Sequence, residues 1–312
     1  MTTYAALLSR SRIADQNFFL LIDPLADCDD DLPVHPDALL QRFPSDAVET
    51  VLRADLAYAP SICPKLITLA DAGHPFDEDL VRLTVDAALA EPIGAKRLIC
   101  GWLSSPSPLD ELAHDLAQRC LVTGAQGPRF IPLFEPLRLE LLATCLQDRV
   151  PPWLWPVSQW ILPSCGGLLQ LCGNAARPAA PLNAPDIATQ HLAPLVASVL
   201  SAWQRLAAQP MPHAVRGFAP RLRDDGGPAN QAVAKVLSSL QRSHALGLRN
   251  AQDRMTFALQ HLTVHARLET HPHIQQRIHD AVSRKTSLEA SLARMSDGEW
   301  HYILNTLARE RS

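Results

Sequence analysis

Five consecutive apolar side chains, Phe18 to Ile22, closed at once by Asp23-Pro24, constrain this chain more than any other stretch. The run is too short for a helix, and it reads as a buried strand ending in a turn. Leu66-Ile-Thr-Leu69 and Leu98-Ile-Cys-Gly-Trp-Leu103 repeat the pattern, and Phe130 to Phe134 gives a fourth strand in which Pro132 implies an edge or a bulge. Helical periodicity alternates with these runs. Ser45 is placed to cap a helix carrying Val48, Val51 and Leu52. Ser107-Pro108-Leu109-Asp110 starts another, with Leu109, Leu112, Leu116 and Cys120 on one face. Leu137 to Leu146 makes a third, after a turn at Gly124 to Gly127. Strand–helix alternation predicts an α/β (α+β) N-terminal domain, a mixed sheet covered by helices, over residues 1–173.

The pattern then changes. Pro151-Pro-Trp-Leu-Trp-Pro156 is too rich in proline for regular structure, and an Ala/Pro-rich linker is expected over residues 174–186. Residues 187–312 read as an all-α C-terminal domain. Leu192, Leu195, Val199, Trp203 and Leu206 share one helical face, with Asp186 as the cap and Pro194 as a kink. A loop over Gln209 to Pro228 precedes a helix with Val233, Val236, Leu237 and Leu240, then one with Met255, Leu259, Leu262 and Ala266. Ser296-Asp-Gly-Glu299 is a capping box opening a helix that buries Trp300, Ile303, Leu304 and Leu307.

Charge divides the same way. Residues 1–160 hold 12 Lys/Arg against 22 Asp/Glu; residues 161–312 hold 16 against 10, with 9 of the 12 histidines. Such asymmetry marks a partner-facing surface or an interface between halves, whereas scattered basic residues without interleaved aromatics argue against nucleic acid. No apolar run reaches the roughly 18–20 residues that span a bilayer, and Met1-Thr2-Thr3-Tyr4 does not open a signal peptide, so a cytoplasmic location without membrane association is expected. The 7 cysteines contain no Cys-x-x-Cys, and most sit among apolar neighbours, as buried reduced thiols do.

Motifs for catalysis are absent: no G-x-S-x-G, P-loop, G-x-G-x-x-G or H-E-x-x-H. The acidic stretch Asp27 to Asp31 reads as a solvated loop, with weak calcium binding as its sharper alternative. His261 and His265 fall on one helix face near Glu269, with His271, His273 and His279 following. Imidazoles so spaced could chelate a metal, but no thiolate or carboxylate completes a known ligand spacing. No catalytic, metal or cofactor residue is assigned, and no cofactor is expected.

One resemblance gives direction. Phe19-Leu-Leu-Ile-Asp23, Ala59 to Leu69, Ile99 to Leu112, Pro132-Leu-Phe-Glu-Pro-Leu-Arg-Leu-Glu-Leu-Leu142 and Trp155 to Pro163 follow one another in the order of five short motifs. Together they resemble the effector chaperone/adaptor family of bacterial type VI secretion (the Tap or Tec adaptors), over residues 17–163. Pro132 and Glu135 stand where the family has arginine and aspartate, leaving Arg129 as the nearby cation. The resemblance implies a cytosolic adaptor, not an enzyme, whose partners are a secreted effector protein and the VgrG spike protein. The helical domain, with its positive balance and no family motif, is the candidate cargo-binding region. Asp23, Phe134, Glu135, Pro136, Trp160 and Trp203 are the candidate partner-binding residues. The blander reading, which the residues favour, makes Phe134-Glu-Pro136 a structural corner and Trp160 a core plug. The alternatives are a metal-dependent enzyme using the histidine-rich helices, or an immunity protein that neutralises a toxin.

Overall fold

The computed structural model describes residues 4–28, 33–124, 127–173, 180–208 and 231–309. Positions 29–31 of the expected acidic loop Asp27 to Asp31, the tip of the glycine turn at 125–126, the first part (174–179) of the expected linker 174–186 and the loop 209–228 lie outside these residues. The chain divides into two compact units, residues 1–193 and 194–312. The first is α+β and the second helical, as the sequence reads.

The first unit is built on a six-stranded sheet. Its strands are β1 (Asn17–Ile22), β2 (Val48–Thr50), β3 (Lys65–Ala70), β4 (Ile99–Ser105), β7 (Gln159–Ser164) and β8 (Gly167–Cys172), in the order β2-β3-β1-β4-β7-β8. A short hairpin of β5 (Leu121–Gly124) and β6 (Gly127–Phe130) stands apart. Phe18, Leu20 and Ile22 enter one core, while Phe19 and Leu21 enter the other. The apolar run is continuous because side chains alternate and both faces of this central strand are covered. One face packs against α1 (Tyr4–Ser11), α2 (Pro36–Leu40) and α3 (Glu78–Ala90) through Leu8, Leu39, Leu80, Val81 and Val85. The other packs against α4 (Leu109–Arg119), α5 (Pro136–Leu146) and α6 (Val150–Leu154) through Leu112, Leu116, Leu139, Leu142 and Trp153.

The sheet is not mixed: every ladder is antiparallel. The helical crossover through α3 does join two strands of one direction, β3 and β4, but β1 lies between them and opposes both. Alternation in sequence therefore reflected a split β-α-β, in which parallel strands are not neighbours.

Other local expectations shift for physical reasons. Ser45–Ala47 is a single 3-10 turn, and Val48–Thr50 pairs with β3 as an edge strand, as its β-branched residues favour. Ser107 does not cap α4; its N–H donates to Ser105 Oγ at 3.2 Å, and the helix begins after Pro108. β6 ends at Phe130, and Pro132 sits in tight turns whose carbonyl accepts the Glu135 N–H at 3.0 Å. The proline-rich stretch yields α6, and the β7–β8 hairpin follows it although Pro163 lies inside β7. That is possible because the β4–β7 ladder spans only Gln159 to Ile161, so Pro163 has no N–H to supply there.

From Ala184, inside the expected linker, there are two helices, not one kinked helix. Asn183 caps α7 (Ala184–Gln190) in a capping box with Asp186, and α8 (Ala193–Ala208) opens with Pro194 in its first turn, where proline loses no needed donor. α7 belongs to the first unit: Ile187 joins its core, and Arg149 grips Asp186 through two hydrogen bonds of 3.0 and 2.7 Å.

In the second unit α8 buries Val196, Val199, Leu200 and Trp203. It is followed by α9 (Gln231–Ala245), α10 (Ala251–Thr263), α11 (Pro272–Val282), α12 (Leu288–Ala293) and α13 (Asp297–Arg309). Phe257, Leu268, Ile274, Leu292, Ile303 and Leu307 share its core. The Ser296/Glu299 capping box forms as read: Glu299 N–H donates to Ser296 Oγ at 3.3 Å and Ser296 N–H to Glu299 Oε2 at 2.8 Å.

Candidate functional site

Asp23 follows the last residue of β1 and is wholly buried. Its N–H donates to Leu98 O at 2.8 Å, which holds it beside β4, and its Oδ1 accepts the Leu25 N–H at 3.0 Å. The remaining oxygen lies 2.9 Å from Lys96 Nζ. Lys96 also reaches Glu135 Oε1 at 3.4 Å, and Glu135 Oε2 accepts from Arg138 Nε at 2.9 Å. Arg138 then donates to Gln190 O at 3.0 Å, and Gln190 Nε2 returns a bond to Arg138 O at 3.1 Å. A continuous polar line thus runs from the end of the central strand, across the corner that opens α5, to the end of α7. Two carboxylates and two cations make it formally neutral.

A second ion pair lies within electrostatic reach. Arg53 holds Asp55 by bonds of 3.1 and 2.8 Å, and its guanidinium lies 4.9 Å from the centre of the Phe130 ring. Burial alone would lower the Arg53 pKa; the hydrogen bond to Asp55 and the charges of Asp55, Asp23 and Glu135 leave it raised. Asp55 is held below the usual carboxylate range, chiefly by that hydrogen bond. Burial pushes the Cys100 thiol well up, and the negative charges of Asp23, Glu135 and Glu91 push it the same way against Lys96. That thiol is an inert core group, not a nucleophile.

Of the six candidate residues, Asp23 and Glu135, 112 positions apart in the chain, meet at Lys96. The others serve as packing. Phe134 is 2% exposed and Pro136 is buried at the first turn of α5, so this segment is a structural corner. Trp160, also 2% exposed, donates its indole N–H to Cys100 O at 3.2 Å and plugs the core. Trp203 is buried in the second unit. Glu135, Lys96 and Arg138 keep 23%, 30% and 19% of their side-chain surface, so they are the part of the line that solvent or a partner can reach. Arg129 is exposed on β6, and the cations that meet Glu135 are Lys96 and Arg138. Arg138 was legible as an i,i+3 neighbour of Glu135. Lys96 and Gln190 carried no local signal, because their contacts are made between distant segments, whereas Arg53 pairs with Asp55 two residues on and only its approach to Phe130 is long-range.

Of the candidate histidines, His261 is engaged in packing and His271 in capping. His261 Nδ1 lies 2.9 Å from Ser239 Oγ, and its ring stacks on Phe257 at 5.7 Å; burial holds its pKa below the usual imidazole value. His271 caps α11 by accepting the His273 N–H at 3.3 Å. Among the described residues no group of three or more His, Cys, Asp or Glu side chains is arranged to hold a metal ion, and no helix is long and apolar enough to cross a membrane. No protein-family model, curated protein or solved structure matches the chain.

Proposed function

We propose that this chain is a cytosolic adaptor that binds a secreted effector and promotes its loading onto the VgrG spike of a type VI secretion machine. The single observation that carries the reading is the meeting of Asp23 and Glu135 at Lys96. These acids come from the first and fourth of the five motif segments that resemble the adaptor family. All five segments lie in one compact unit, and three of them contribute the strands β3, β4 and β7 beside or near β1. The motifs thus follow one fold, which is what an adaptor scaffold requires; the second unit, outside the resemblance, is the region assigned to cargo.

The test is co-purification of the tagged full-length chain with VgrG and the products of neighbouring genes. The reading expects retention of a spike protein together with a toxic effector whose activity persists in a direct assay. Retention of neither defeats it. Loss of toxin activity on addition of the chain would instead identify an immunity protein.

A further inference from the structure

The two edges of the six-stranded sheet are treated differently. β2 is three residues long, and the Glu49 carboxylate occupies the Thr50 N–H at 2.8 Å, so this edge is guarded. β8 is six residues long, reads Gly-Leu-Leu-Gln-Leu-Cys, and carries no charge and no proline. Unguarded edges of this kind recruit another strand.

Register tells which groups are offered. β7 and β8 are joined by Cys165-Gly166, so the closing pair Ser164 and Gly167 is hydrogen-bonded and the pattern alternates from there. Pro163, opposite Leu168, has no N–H to give, and the Gly173 N–H reaches Ser158 O at 2.8 Å, both in phase with this assignment. Leu169 and Leu171 therefore spend their backbone groups on β7. Leu168, Gln170 and Cys172 aim theirs outwards, and among the described residues these have no backbone partner.

We propose that β8 pairs with β8 of a second copy, antiparallel, about a two-fold axis at Gln170. Two six-stranded sheets then become one. Self-pairing is favoured over a foreign strand because β8 is self-complementary in this register. Gln170 meets itself, Leu168 meets Cys172 of the second copy, and Leu169 meets Leu171 of the second copy, so no charge faces its like.

Sedimentation velocity of the full-length chain under reducing conditions, over two decades of concentration, tests this. The wild type is expected to shift reversibly to twice its mass. Gln170→Pro removes an outward N–H and no bond to β7, so it is expected to stay monomeric with an unchanged melting temperature. Gln170→Lys and Gln170→Glu are each expected to be monomeric, and their equimolar mixture to dimerise. A wild-type monomer at every concentration, a Gln170→Pro dimer or a mixture that stays monomeric each overturns the proposal. So does a monomer that instead binds an effector strand in a Gln170-dependent way.

Discussion

Lys96 Nζ stands 2.9 Å from a carboxylate oxygen of Asp23, which has no exposed surface of its own, while Lys96 keeps 30% of its side chain exposed. A buried charge whose partner is solvated at one end is sensitive to loss of that partner, because the remaining ion has no water to turn to. Lys96→Met is expected to cost about 3 kcal/mol in urea unfolding, and Asp23→Asn less. The double substitution should recover part of the loss, since it leaves no unpaired ion. A strictly additive cycle would show that the pair is not coupled.

Glu140 on α5 is 2% exposed, and burial raises its pKa from 4.5 to about 8, against the weaker pull of Arg97. Below pH 4.5 the carboxyl is protonated in folded and unfolded chains alike and costs nothing. As pH climbs towards 8 the unfolded chain loses the proton that the folded chain retains, so stability falls, and the loss is complete above the folded pKa. At about 1.4 kcal/mol per pH unit this reaches on the order of 3 kcal/mol near neutrality. Glu140→Gln should therefore leave the melting temperature nearly unchanged at low pH and raise it progressively towards alkaline pH.

Helix α7 closes the first unit by docking Ile187 in its core and Asp186 on Arg149. Arg149 draws the Asp186 pKa down, chiefly through their hydrogen bond. A chain ending at Ala193 should unfold cooperatively by circular dichroism. One ending at Asn183 loses the Ile187 packing, the Asp186 partner of Arg149 and the Gln190 contacts of Arg138, and should be weaker by about 3 kcal/mol or more.

Gly101 sits in a bulge of β4 at φ +138°, and a Cβ there would lie 2.5 Å from both Ile161 O and Trp160 Nε1. Gly101→Ala must displace the Trp160 indole and break its bond to Cys100 O, besides forcing an L side chain into a disfavoured backbone region. A loss of about 3 kcal/mol is expected, with a changed near-ultraviolet circular dichroism signal from Trp160.

Local patterns were legible wherever neighbours along the chain set them. The runs at Phe18–Ile22 and Leu98–Leu103, the helix over Leu137–Leu146 and the Ser296/Glu299 box all came from periodicity or capping chemistry within a few residues. The β7–β8 hairpin was hidden because prolines before and inside it suppress a strand reading, and only the short ladder to β4 makes Pro163 acceptable. The helix expected after Ser45 failed for the opposite reason: Val48 and Val51 fit a helical face equally well until β3 supplied a pairing edge.

The sequence by itself determined that an α+β part precedes a helical part, because apolar period and proline placement act locally. It also marked Asp23 and Glu135 as polar residues at the ends of apolar segments. The tertiary structure decided that β1 enters between β3 and β4, making every ladder antiparallel, and that Lys96 stands between those two acids. Strand order and long-range ion pairs depend on which distant segments bury their surfaces together, and no local pattern encodes that choice.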